Sequence, residues 1–139
     1  LAMKISVIVA TRNRAALLDG ALVSLRAQIG APEIEPIVVD NGSSDATRSV
    51  AERHEATYVY EPQPNRALAR NAGLALARGD VVLFVDDDVV LPPFFVGAHA
   101  RAQERETFPH VVTGPIINVP SPDVRPVPTF LNGSNACFE

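Results

Sequence analysis

Four short runs, Lys4–Ala10, Pro36–Val39, Thr57–Tyr60 and Val81–Val85, are rich in β-branched and aromatic residues and are separated by stretches with helical spacing. The first and last are apolar almost without a break, which predicts strands buried on both faces, as in a parallel sheet. After the first, Leu18, Leu22 and Leu25 recur at a helical period. After the second comes the turn cluster Asp40-Asn41-Gly42-Ser43-Ser44-Asp45, whose Ser44 or Asp45 can cap a helix running to about His54. After the third, Glu61-Pro62-Gln63-Pro64 forces an extended loop. Asn65 then opens an Ala- and Leu-rich helix that Arg78-Gly79 is expected to close with a cation and a glycine. Strand and helix alternate, which predicts an α/β fold: a mainly parallel sheet with helices on both faces.

Beyond Pro92-Pro93 the pattern weakens. A helix is expected over Phe94–Gln103 and a strand over Val111–Ile117, and six of the 12 prolines fall between Pro109 and Pro128. Residues 1–139 therefore read as one domain, with a βα core over 1–108 and a Pro-rich connection over 109–139 that is functional or mobile. Leu1-Ala2, ahead of Met3, is left out as extraneous to the fold.

With 47% hydrophobic and 20% charged residues the chain can bury a sizeable core. A formal charge of −4 without a clustered basic patch argues against a nucleic-acid partner. No apolar run is long enough for a membrane span, and no targeting segment is visible, so a soluble chain is expected. The single cysteine, Cys137, excludes an intramolecular disulfide and a Cys-based metal cluster and fits a packing role in a reducing compartment. His54, His99 and His110 lack metal-ligand spacing and read as helix-end or surface residues.

Ligands of open parallel sheets bind beyond the carboxyl ends of the strands. Three of the predicted strands end there in polar groups: Thr11-Arg12, Asp40, and Asp86-Asp87-Asp88. Three adjacent carboxylates repel one another, and a hard divalent ion is the natural partner, with a solvated acidic turn as the plain alternative. If the chain stays extended past Val85, Asp86 and Asp88 fall on one side and Asp87 on the other. Oxygen ligation from one or two carboxylates suits Mg2+ or Mn2+ that keeps sites open for phosphates. Asp40 can accept a hydrogen bond from a base ring N–H or serve an Asx-turn. Arg12 and Arg70 can face a nucleotide diphosphate or lie on a helix flank as surface charges.

The ordered set Ser6-Val7-Ile8-Val9-Ala10-Thr11-Arg12-Asn13-Arg14, Val38-Val39-Asp40-Asn41-Gly42-Ser43-Ser44-Asp45, Ala69-Arg70-Asn71-Ala72-Gly73 and Leu83-Phe84-Val85-Asp86-Asp87-Asp88 resembles the family 2 glycosyltransferases of GT-A fold. The resemblance implies a Rossmann-like nucleotide-diphospho-sugar transferase fold and an inverting, metal-assisted transfer of a sugar to the hydroxyl of a glycan, lipid or other acceptor. It implies a donor that is a nucleotide-diphosphate sugar, by family preference UDP-linked, and Mn2+ or Mg2+ as cofactor. Thr11 and Asp40 match positions lining the base pocket, Asp86 the acid near ribose and metal, and Asp88 the metal-coordinating acid of the DxD motif. Arg12, Arg70, Asn71 and Asp87 complete the expected nucleotide site, and Gly133, Ser134 and Asn135 match a small-residue motif beside the transferred sugar and acceptor.

The family's general base belongs to a later motif than this sequence contains, so the base is expected beyond Glu139 and the domain is read as cut on its C-terminal side. Glu104, Glu106 and Glu139 do not lie in a context that suits the role. Such a cut predicts an apolar edge around Val111–Ile117 and Ala136–Phe138 that drives self-association. The resemblance implies a cytoplasmic location, with a peripheral place at the inner face of a membrane as the alternative. The rival readings are a sugar-nucleotide nucleotidyltransferase, disfavoured by a Thr11–Leu17 turn without glycine, and a nucleotide-sugar-binding module without turnover.

Overall fold

The computed structural model describes residues 3–105 and the backbone of 116–118, 127–129 and 137–138. The elements are β1 (Lys4–Thr11), α1 (Ala15–Arg26), β2 (Glu33–Asp40), α2 (Thr47–Arg53), β3 (Thr57–Tyr60), α3 (Arg66–Leu76), β4 (Val81–Asp86) and α4 (Phe95–Glu104), followed by β5 (Ile116–Asn118), β6 (Val127–Thr129) and β7 (Cys137–Phe138). The main sheet has the order β3-β2-β1-β4-β7, and its first four strands are parallel, as the alternation of elements requires. Strand β7 closes the β4 edge antiparallel, while β5 and β6 pair separately.

Period-two alternation along the buried strands sends side chains into two cores. Ile5, Val7, Val9, Val38, Leu83 and Val85 meet Leu18, Leu22 and Leu25 of α1, Val50 of α2 and Val96 of α4 on one face. Ile8, Ile37, Val39, Val82 and Phe84 meet α3 through Ala69 on the other. Burying an aliphatic side chain contributes roughly 1.5–3 kcal/mol. The second face is thinly covered, because α3 buries only Ala69 and Gly73. A Cβ on Gly73 would fall 2.5 Å from Ile8 Cγ2, so glycine lets this helix lie against β1 and β2.

Strand β2 begins three residues before the expected Pro36. Pro36 lies opposite Val7 of β1, one residue before the β3 ladder starts at Ile37. Helix α3 opens as expected, with the Asn65 side chain accepting from the N–H groups of Ala67 and Leu68. Its close differs from the expectation: it ends at Leu76 with Ala77 as C-cap and no cation in its last turn. Gly79 serves the sheet instead, since a Cβ there would lie 2.5 Å from the Ser6 amide nitrogen. Helix α2 starts at Thr47, whose N–H donates to Asp45.

His99 departs from the helix-end or surface reading: it is buried inside α4 against the Phe95 ring, and burial lowers its pKa. His54 is at a helix end, as the C-cap of α2, with Nε2 2.6 Å from Asp19 Oδ1. Of the expected apolar edge, Ile116–Ile117 pairs with β6 and Cys137–Phe138 with β4, and the remainder lies outside the described residues. The expected strand over Val111–Ile117 is described only from Ile116, where β5 begins. Among the described residues no helix is long and apolar enough to cross a membrane.

Candidate functional site at the carboxyl end of the sheet

The order β3-β2-β1-β4 means that the chain builds outward from β1 in one direction and then crosses to its other side. The switch point therefore lies between β1 and β4, where a crevice opens at the strand ends. A cleft of about 420 Å³ occupies that place, bounded by the β1 and β4 ends, the loop after β1 and the N-terminal turns of α3. Thr11, Arg12, Arg70, Asp86, Asp87 and Asp88 all line it.

Strand β4 ends at Asp86, and Asp87 and Asp88 follow in a turn, so the three acids do not keep the extended alternation expected for them. Asp86 follows Phe84 onto the α3 face, where Arg70 approaches it at 3.9 Å and lies over the Phe84 ring, 5.7 Å from its centroid. At that distance the contact is one of charges rather than a hydrogen bond. Asp87 is buried in the turn that follows β4. The Thr11 hydroxyl donates to its Oδ2 at 2.7 Å, and Arg14 Nη1 donates to its Oδ1 at 3.2 Å. Asp88 is exposed, with Arg14 Nη1 3.6 Å from its Oδ2. Burial, and then the charge of Asp88, push the Asp86 carboxyl above the usual carboxylate range, while Arg70 and Arg66 pull it back.

Asp40 is buried at the end of β2 and does not line the cleft. Its Oδ1 accepts the N–H of Ser43, three residues on, at 2.8 Å, and its Oδ2 accepts the Tyr58 hydroxyl at 2.7 Å. Both oxygens are thus engaged within the protein. Burial, and then the contact with Asp40, push the Tyr58 hydroxyl up to about 12. Asn71 is exposed on α3 and does not line the cleft. Gly133, Ser134 and Asn135 lie outside the described residues, as do Glu106 and Glu139. Glu104 ends α4 and does not line the cleft.

The loops after β1 and β2 are tied together at the rim. Asn13, in the left-handed region at φ 52, donates its N–H to Ser43 Oγ and accepts from Ser44 N–H. The N–H of Ala15 donates to Asp45. Beyond Asp88, the chain is pinned to the end of α1. The Leu91 N–H donates to the buried Ser24 hydroxyl, and the Gln28 amide accepts from Val96 N–H and donates to the Pro92 carbonyl. These contacts fix both flanks of the acids.

Three polar lining residues escaped the sequence reading of the site: Arg14, Arg66 and Asn41. Arg66 precedes Arg70 by one helical turn, a spacing that places both on one face and could have found it. Arg14 follows Thr11 by three residues in a loop, and no periodicity marks such a contact.

The family model for glycosyl transferase family 2 matches residues 6–130. The chain belongs to this family. It is 38% identical over 109 residues to an uncharacterized glycosyltransferase, YfnE, of Bacillus subtilis, covering 75% of this chain and 28% of that protein. It is 39% identical over 107 residues to validoxylamine A glucosyltransferase of Streptomyces hygroscopicus subsp. limoneus, covering 69% and 24%. The chain thus spans about a quarter of the length of these curated relatives. Among solved structures it is similar to the mannosyltransferase PcManGT of Pyrobaculum calidifontis in complex with GDP-Man and Mn2+. That match has a TM-score of 0.71 at 28% identity and covers 80% of this chain and 35% of that one. Staphylococcus aureus TarS 1–349 in complex with UDP aligns with a TM-score of 0.66 at 30% identity, covering 74% and 32%. The fold is that of the GT-A glycosyltransferases.

Proposed function

We propose that this chain is the donor-binding part of an inverting glycosyltransferase that takes a sugar from a nucleotide diphosphate, most economically UDP, and passes it to an acceptor hydroxyl. The observation that carries the reading is the charge arrangement of the cleft. Arg12, Arg14, Arg66 and Arg70 face Asp86, Asp87 and Asp88 across one crevice at the switch point. A diphosphate needs the former and its counter-ion the latter.

The donor set fits a divalent ion in a particular way. Among the described residues no three of His, Cys, Asp and Glu converge as a self-sufficient metal site. What the cleft offers is two carboxylates, Asp86 and Asp88, with the charge of Asp88 raising the Asp86 pKa, while Asp87 is held by Thr11 and Arg14. Magnesium and manganese are commonly held by one or two carboxylates with substrate phosphates completing the shell, so Asp86 and Asp88 would hold the ion. Such an ion supplies neutralisation of the charge that develops on a departing diphosphate. Arg70, kept over Phe84, and Arg66 one turn away would orient the diphosphate. PcManGT with GDP-Man and TarS with UDP support a nucleotide ligand and leave the base to be measured. The reading concerns the donor half, and the acceptor's base is proposed to lie elsewhere in the whole protein.

Calorimetric titration with UDP and with GDP, each with Mn2+ and with chelator, tests it. Binding of one nucleotide that requires the metal is expected. A folded chain that binds neither, in either condition, refutes it.

A further inference from the structure

Arg14 is the residue in the cleft whose position the fold itself does not explain. It is the N-cap of α1, yet its side chain caps nothing, and a cation at the positive end of a helix is electrostatically unfavourable. What holds it there is the pair of acids. One Nη1 lies 3.2 Å from Asp87 Oδ1 and 3.6 Å from Asp88 Oδ2. The two contacts differ in kind. The Asp87 side chain is 9% exposed and its other oxygen is fixed by Thr11, whereas Asp88 is 52% exposed and shares Arg14 with solvent. Asp87 is therefore a fixed post for the guanidinium, and Asp88 is a contact that can be exchanged.

We propose that Arg14 is an exchangeable counter-ion: it neutralises Asp88 in the ligand-free cleft and gives that carboxylate up to a divalent cation that arrives with a diphosphate. The inference rests on the donor-site reading above. A bare divalent ion at Asp88 would meet the Arg14 charge a few ångströms away in a cleft that also holds Arg12, Arg66 and Arg70, and like charges at that range oppose entry. A diphosphate brings negative oxygens that satisfy both cations at once. Arg14, still held by Asp87, then faces the diphosphate. Metal and nucleotide binding become coupled through this one side chain, and the free cleft is kept from collecting divalent ions.

Two substitutions separate charge from shape. Arg14→Gln removes the charge and keeps an N–H donor for Asp87, and Arg14→Lys keeps the charge. Free Mn2+ is followed by its electron paramagnetic resonance signal during titration of each chain, without and then with saturating UDP. Wild type and Arg14→Lys are expected to bind Mn2+ weakly alone and more tightly with UDP. Arg14→Gln is expected to bind Mn2+ alone about two- to fivefold more tightly than wild type, the scale of an exposed ion pair. The gain that UDP adds should shrink correspondingly. If wild type binds Mn2+ and UDP together but Arg14→Gln takes up Mn2+ alone no better than wild type, the counter-ion role is wrong while the donor site stands. If wild type binds neither Mn2+ nor UDP, the donor site and the counter-ion role fall together.

Discussion

Two glycines in helices make opposite predictions for the same substitution. In α3, a Cβ on Gly73 would stand 2.5 Å from Ile8 Cγ2 and 3.1 Å from Val39 Cγ2. Carbon atoms pack at about 3.5–4.0 Å, so the overlap exceeds 1 Å roughly and falls on β-branched side chains in buried strands, which have little freedom to turn. Overpacking of this kind costs about 1–3 kcal/mol, and replacing a helical glycine returns up to about 1 kcal/mol. Taking the upper half of the first range, Gly73→Ala should destabilise by about 1–2 kcal/mol net. In α1, a Cβ on Gly20 would meet nothing within 4 Å. Gly20→Ala should therefore stabilise by about 0.5–1 kcal/mol through helix propensity alone. Urea denaturation with a shared m-value measures both. The Gly73 change also pushes α3, and with it Arg66 and Arg70, away from the cleft, so UDP affinity should fall in that variant and stay unchanged in Gly20→Ala. Gly73→Ala as stable as wild type would refute the packing argument, and a destabilised variant with wild-type UDP affinity would refute the link from α3 position to the site.

Asp87→Asn and Asp88→Asn should fail in different ways. The first disturbs a buried carboxylate that satisfies Thr11 and Arg14 and should cost about 1–3 kcal/mol of stability, whereas the second should leave stability within about 0.5 kcal/mol and abolish the metal dependence of UDP binding. Equal stability losses would count against the difference in burial between the two side chains. Tyr58 should titrate at about 12 by ultraviolet absorbance, against about 10 for an unperturbed tyrosine. The folded chain holds this proton longer than the unfolded one, so stability should be unaffected below pH of about 10 and fall as pH rises from there towards 12. Tyr58→Phe should remove that part of the slope, and an unchanged slope would disprove Tyr58 as its origin.

Much of the fold was legible because its strands are buried on both faces and carry nearly continuous apolar runs, which few other structures require. The location of the cleft followed from the same reading, since a parallel sheet binds at its carboxyl ends and three strands finish there in polar groups. The strand period did not carry through the three acids, because β4 ends at Asp86 and the turn after it brings Asp87 and Asp88 to one Arg14 Nη1. What stayed hidden depends on tertiary approach. Gly79 looked like a helix stop because glycine after a helix usually is one, and its actual reason, the nearness of Ser6, lies 73 residues away along the chain. His99 looked like a surface residue because its burial depends on what packs over α4. Arg14 was read as part of a motif without a role, since a loop residue's contact with two acids more than 70 residues away leaves no periodic trace. The Tyr58 contact with Asp40 joins neighbouring strands and became visible only once their register was known.

Hydrogen exchange of the chain with and without UDP and Mn2+ locates the ligand directly. A donor site in the cleft predicts new protection in the loop after β1, the first turns of α3 and the amides around Asp86, Asp87 and Asp88, with none in the second groove lined by Leu25, Ile34 and His54 at the other end of α1. Protection in that second groove, or protection spread evenly over the domain, would contradict it.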